Sequence, residues 1–173
     1  MHTGLKMKPN VQDGVSLYTY SRAEGDFHAE NVRIGDGRIV FDLVSPFGNI
    51  ADIELGVPVS VNIENGIAAI ALAQIAGASA EEIRKGMASF GGVDRRFDFH
   101  VKTDRMVYVS DYAHHPEEIR HCLESMKELY SGRRIKVIFQ PHLYTRTRDF
   151  YREFADALSL VDDVCVVDIY PAR

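Results

Sequence analysis

The stretch Ser110-Asp111-Tyr112-Ala113-His114-His115-Pro116 gathers a carboxylate, a phenol and two imidazoles within a few residues. An apolar run, Met106–Ser110, precedes it and a helical pattern, Pro116–Tyr130, follows it. That places the group at the carboxyl end of a strand, where open α/β sheets bind ligands. Asp111 there can accept hydrogen bonds from a pair of ribose hydroxyls, and the backbone N–H groups after Pro116 can face an anion. The same residues also read as a loop cap beside two solvated histidines. Neighbouring histidine side chains diverge and no further ligands are suitably spaced, so no metal site is assigned.

Gln140-Pro141-His142-Leu143-Tyr144-Thr145-Arg146-Thr147-Arg148 follows a second apolar run, Ile135–Phe139, and falls on the same sheet edge as Asp111. Helix N-termini disfavour cations, so an arginine at the start of the helix predicted over Thr145–Leu158 calls for another partner. A carboxylate or phosphate, held through the guanidinium fork, is one candidate, and a solvated surface is the other. Arg95-Arg96 follows the Gly91-Gly92 break, a position from which arginine can reach a cleft between domains. Asn62 and Asn65 share one face at the start of an Ala- and Ile-rich helical pattern. Asn62 reads as its N-cap. Asn65 is less easily explained by capping, and its amide suits the edge of an adenine.

These groups need elements to hold them. Val15–Tyr20 alternates like a short strand, and Phe27–Ile34 with Arg38–Val44 flanks Gly35-Asp36-Gly37 as a hairpin. Ile50–Leu55 supplies a further strand, and together these predict a twisted antiparallel sheet. Asn62–Ala76 reads as a helix ended by Gly77, and Ser79 with Glu82 as a capping box opening the next one. Beyond Phe90-Gly91-Gly92-Val93 the pattern becomes strand, helix, strand, helix, strand, a doubly wound arrangement whose third strand, Val164–Ile169, reads as buried on both faces. The expected division is therefore residues 1–94 and 95–173.

Composition is that of a globular chain: 173 residues, 46% apolar and 26% charged. The formal charge of −5 gives no global footprint for nucleic acid or anionic lipid, so any anion must be held locally. Cys122 and Cys165 form no CxxC and no disulfide scaffold, which fits a reducing compartment. No apolar run approaches membrane-spanning length, and Met1–Gly4 lacks the basic-then-apolar build of a signal peptide, so a cytoplasmic location is expected. There is no GxxxxGK[ST] and no GxGxxG after a strand.

Four motifs stand in order on predicted strand ends and at the break: FGGVDRRFD at Phe90–Asp98, DYAHHP at Asp111–Pro116, FQPH with TRTR at Phe139–Arg148, and DIYPA at Asp168–Ala172. Together, from about Val15 to Arg173, they resemble the Mur ligases, and the DYAHHP and FQPH pair resembles the alanine-adding or peptide-recycling members. The resemblance implies the end of a central ATP-binding domain, a β-rich segment plus two helices, followed by part of a Rossmann-like α/β C-terminal domain. It implies ATP- and Mg2+-dependent amide formation through an acyl phosphate, with UDP-N-acetylmuramate and L-alanine as substrates. By motif match, Asn62, Asn65, Arg96 and Asp111 fall at the nucleotide, and Tyr112, His114, His142 and Arg146 at the sugar nucleotide or the amino acid. Three positions depart from the family pattern: Val61 where a histidine commonly precedes the first asparagine, Leu143 where an arginine often follows the histidine, and Ser110 where an acid often precedes Asp111. Since the family's phosphate cradle is absent from this sequence, the chain alone is expected to be inactive as a ligase. Incomplete sheets would leave open edges, from which self-association is expected.

Overall fold

The computed structural model describes residues 1–7 and 9–171, and the chain folds as two compact units, Met1–Gly91 and Gly92–Arg173. The first unit is built on a three-stranded antiparallel sheet, β1 (His28–Gly35), β2 (Arg38–Val44) and β3 (Ile50–Glu54), in that order. Gly35 pairs with Arg38, leaving Asp36-Gly37 as a two-residue turn. Both turn residues have positive φ, 51° and 70°, the geometry that matches hairpin twist and that glycine adopts without strain. Strand β2 alternates strictly, with Ile39, Phe41 and Leu43 buried.

Helix α1 (Val61–Ile75) buries Ile63, Ile67 and Ile70, which with the inward residues of the sheet form this unit's core. Gly66 sits in the same helix where a Cβ would meet the Met87 methyl at 2.9 Å, so the Met87 side chain packs close against the helix backbone there. Helix α1 ends in a Schellman motif: Gly77 (φ 92°) donates to the Gln74 carbonyl and Ala78 to the Ala73 carbonyl, each at 2.9 Å. Helix α2 (Ala80–Ser89) opens on the expected capping box, Ser79 with Glu82. Two expectations fail here. Val15–Tyr20 forms no strand; only Tyr20 makes isolated bridges, to His2 and Phe27. Asn62 is not the N-cap, because Ser60 occupies that position and Asn62 lies inside the helix.

The second unit contains β4 (Asp98–Lys102), β5 (Val107–Ser110), α3 (Pro116–Leu129), β6 (Lys136–Phe139), α4 (Tyr144–Asp149), α5 (Tyr151–Leu158) and β7 (Asp163–Val166). The α/β class stands, and Pro116 opens α3 as expected. The three expected strands do not share one ladder. β5 pairs antiparallel with β4, while β6 and β7 form a separate parallel pair. The single helix expected over Thr145–Leu158 breaks at Phe150 (φ −122°, ψ 21°), whose ring lies 5.0 Å from that of His115. The last strand is shorter than expected and mostly exposed rather than buried on both faces, with Val166 59% exposed. Ile119, Leu123, Phe139, Phe154, Ala157 and Leu158 form the core of this unit. The Ala172 end of the DIYPA stretch lies outside the described residues.

Candidate functional site

The loops after β5 and β6 and the segment after β7 meet in a line of rings. Tyr112 and His114 lie 5.4 Å apart edge-on, His114 and His142 6.5 Å, and Tyr170 stacks on His142 at 5.6 Å with a 22° tilt. Parallel pairing carries past the strand ends to place Tyr170: its N–H donates to the Pro141 carbonyl at 2.8 Å, and its carbonyl accepts the Leu143 N–H at 3.1 Å. His114 Nδ1 approaches the Tyr112 carbonyl at 3.0 Å; a carbonyl only accepts, so the proton sits on Nδ1. His115 turns away to Phe150, so the two adjacent histidines do diverge.

His142 Nδ1 and Arg146 Nη1 are both buried without a hydrogen-bond partner. The Tyr130 hydroxyl is unpaired in the same way; buried polar groups in folded proteins are nearly always satisfied, so each of the three calls for a partner. Arg148, by contrast, pairs with Asp149 at 2.8 Å. Because the helix stops at Asp149, both arginines lie in its last turn, where the dipole favours cations. Arg146 is also the third residue of this six-residue helix, so its expected place at a helix start stands.

Asp111 is occupied on both oxygens. Oδ2 accepts the Phe97 N–H and Oδ1 the Ala113 N–H, each at 2.7 Å. The carboxylate thus ties the segment carrying Arg96 to the loop carrying Tyr112. Phe97 itself is 4% exposed and holds a positive φ of 48°. Each carboxylate oxygen retains a second lone pair toward solvent, so the loop-cap and hydroxyl-acceptor readings are compatible. The N–H groups before α3 meet an anion, but it is internal: Glu118 Oε2 accepts from His114 at 2.9 Å and His115 at 3.2 Å. The His114 N–H, above all, holds the Glu118 carboxyl below its ordinary range, with help from the His115 N–H and the two imidazoles. Burial, reinforced by the Asp111 charge, pushes the Cys122 thiol up to about 12, which makes it a structural rather than a reactive cysteine.

In the first unit, Asn62 Nδ2 donates to the Val57 carbonyl at 3.1 Å and Asn62 Oδ1 accepts from Asn65 Nδ2 at 3.2 Å. Asn62 therefore anchors the approach to α1, and the more exposed Asn65 keeps its amide oxygen available. The motif pattern includes Tyr170 without giving it a role, and it passes over the hydroxyl of Thr147. Nothing local in the sequence announces the left-handed backbone at Leu143, φ 72°.

Residues 95–173 match the family model described as Mur ligase, glutamate ligase domain. A UDP-N-acetylmuramate–L-alanine ligase from Phocaeicola vulgatus is 65% identical over 170 residues, which cover 98% of this chain and 37% of that protein. One from Parabacteroides distasonis is 58% identical over 171 residues, again 98% of this chain and 37% of the relative. Nearly the whole chain is similar to these ligases, and its residues 95–173 carry the Mur ligase domain. The chain spans 37% of the length of these two relatives. A crystal structure of the Thermotoga maritima UDP-N-acetylmuramate–alanine ligase superposes with TM-score 0.74 at 30% identity, covering 88% of this chain and 34% of that one. The folylpolyglutamate synthetase of Lactobacillus casei superposes with TM-score 0.64 at 23% identity over 80% of this chain and 34% of its own, a likeness of fold alone. The ring line and the two unpaired nitrogens lie within the Mur-matched residues.

Proposed function

We propose that this chain serves UDP-N-acetylmuramate–L-alanine ligation, the ATP-dependent formation of an amide through an acyl phosphate in cytoplasmic peptidoglycan precursor synthesis. Residues 1–94 are read as the end of the central ATP-binding domain and 95–173 as the start of the C-terminal domain. The observation that carries the reading is the pair of buried, unpartnered nitrogens on His142 and Arg146 beside the Tyr112–His114–His142 rings. A guanidinium fork with an adjacent imidazole suits a carboxylate, such as that of L-alanine, and holds it so that the amine faces the acyl group. Tyr112 and His114 offer flat, partly polar surfaces for the sugar nucleotide.

ATP and Mg2+ belong to the proposal as the activating nucleotide and its counter-ion; ATP supplies the phosphoryl group that makes the acyl carbon reactive. The residues present fit a nucleotide in part. Asp111 has lone pairs free for ribose hydroxyls, Asn65 has an available amide oxygen, and Arg96 is an exposed cation held near Asp111 through Phe97. Among the described residues no group of three or more His, Cys, Asp or Glu side chains is placed to hold a metal ion, so no magnesium ligand is named in this chain. No step is therefore assigned to the ion. Likewise, no described helix is long and apolar enough to cross a membrane.

The test is amide formation from UDP-N-acetylmuramate, L-alanine and ATP by a full-length ligase carrying this segment. Arg146→Ala is expected to raise the KM for L-alanine at least tenfold. A parent that joins a peptide in preference to L-alanine would replace the reading with the recycling ligase. The chain by itself, with no GxxxxGK[ST], is expected to release no phosphate from ATP in the same mixture.

A further inference from the structure

We propose that Thr147 is a positioning residue, whose hydroxyl locks a strained turn at Leu143 and thereby fixes the course of the chain between His142 and Arg146. The inference rests on the carboxylate-binding reading above for what the site receives, but its geometry stands apart from that reading. Leu143 is the N-cap of α4 with φ 72° and ψ 125°, a backbone conformation that a γ-branched L-residue rarely adopts. Strain of that kind persists only where the surroundings over-determine it.

Here they do so through three hydrogen bonds. The Thr147 hydroxyl donates to the Leu143 carbonyl at 2.9 Å, and the Thr147 N–H donates to the same oxygen at 3.0 Å. On the other side of the residue, the Leu143 N–H donates to the Tyr170 carbonyl at 3.1 Å. The Tyr170 ring then stacks on His142.

A threonine bonding back to the carbonyl four residues earlier is ordinary inside a helix and slightly unfavourable there. At Leu143 the acceptor is the helix cap itself, and the bond spans the strained residue that separates the two unpaired nitrogens. If Leu143 relaxed to negative φ, the direction of the chain between His142 and Arg146 would change. Both nitrogens would then be free to find solvent or protein partners instead of remaining buried and unpaired. The strain keeps them unpaired, and Thr147 with Tyr170 maintains the strain.

The experiment uses NMR on the 173-residue chain and three variants: Thr147→Val, which keeps shape but loses the donor, Thr147→Ser, which restores it, and Leu143→Gly. Thr147→Val is expected to speed Leu143 amide exchange at least tenfold and to weaken the His142–Tyr170 ring NOE. Thr147→Ser should stay within twofold of the parent. In the Leu143→Gly background, where positive φ costs little, adding Thr147→Val should change exchange less than threefold. Titration with L-alanine, followed on the His142 and Arg146 side-chain resonances, should weaken at least fivefold in Thr147→Val alone. Unchanged exchange and NOE in Thr147→Val, or an equal loss in the glycine background, would overturn the positioning role. A parent chain that ignores L-alanine while Thr147→Val still loosens Leu143 would support the positioning role and count against the alanine reading.

Discussion

Asp111 illustrates how one side chain can be read in two ways until its partners are known. Its type and place after a strand suggested a hydroxyl acceptor, and its two backbone bonds show a loop organiser that still has lone pairs to offer. Replacing it with asparagine leaves one N–H, that of Phe97 or Ala113, facing an amide that cannot accept from both. Loss of a hydrogen bond to a charged acceptor costs about 1.5–3 kcal/mol. Asp111→Asn is expected to destabilise by about that amount, and faster exchange of the Phe97 amide should locate the loss. Glu118 carries a pH signature with a defined sign. Its folded carboxyl is held below the ordinary range by the His114 N–H, so the stabilisation is complete above that range. It fades as the pH falls through the depressed folded value. Acid titration of helicity should therefore show a loss in this limb that Glu118→Gln lacks, because the glutamine variant has no proton to take up.

At the scale of elements, what could be read locally was what local chemistry decides. The Asp36-Gly37 turn, the Ser79–Glu82 box and the Gly77 stop each depend on residues within a few positions, and each forms as its sequence indicates. Ser79→Ala removes the one hydroxyl that both accepts from the Glu82 N–H and donates to its carboxylate. It is expected to cost about 1 kcal/mol, measured by denaturant unfolding of the first unit. Elements whose limits depend on distant partners were misread. Thr145–Leu158 has an uninterrupted helical pattern, yet it breaks at Phe150, which lies against His115 from another loop. Val15–Tyr20 alternates like a strand, but alternation supplies no ladder partner, and in the fold only Tyr20 finds one. Asn62 has the composition of a cap, yet Ser60 begins the helix earlier and Asn62 is drawn to the Val57 carbonyl.

At the scale of the whole molecule the two units differ in how much apolar surface each removes from water. The first has a core centred on Phe27, Phe41 and a row of isoleucines, many fully buried. The second relies on a smaller cluster around Phe139 and Phe154. Amide exchange should accordingly show higher protection in β2 than in β6, since local stability follows buried contact. The β6–β7 pair exposes Ile138 (78%) and Val166 (59%), and among the described residues each strand has a ladder partner on one edge only. Open, apolar edges invite pairing between copies. Light scattering is expected to show concentration-dependent association that Ile138→Lys suppresses; a mass independent of both concentration and variant would refute it.

The sequence alone determined the α/β class, the hairpin, the capping signals and the likeness to Mur ligases, because each is written in short-range pattern or in motifs that keep their spacing. It also brought His142 and Arg146 forward by motif match. Only the tertiary structure decided that their nitrogens are buried and unpaired, that Tyr170 stacks over the first of them, and that Leu143 bends the chain between the two against its own preference. Those features arise where separate segments converge. Side-chain chemistry can be read one residue at a time, whereas satisfaction, burial and strain are properties of an arrangement.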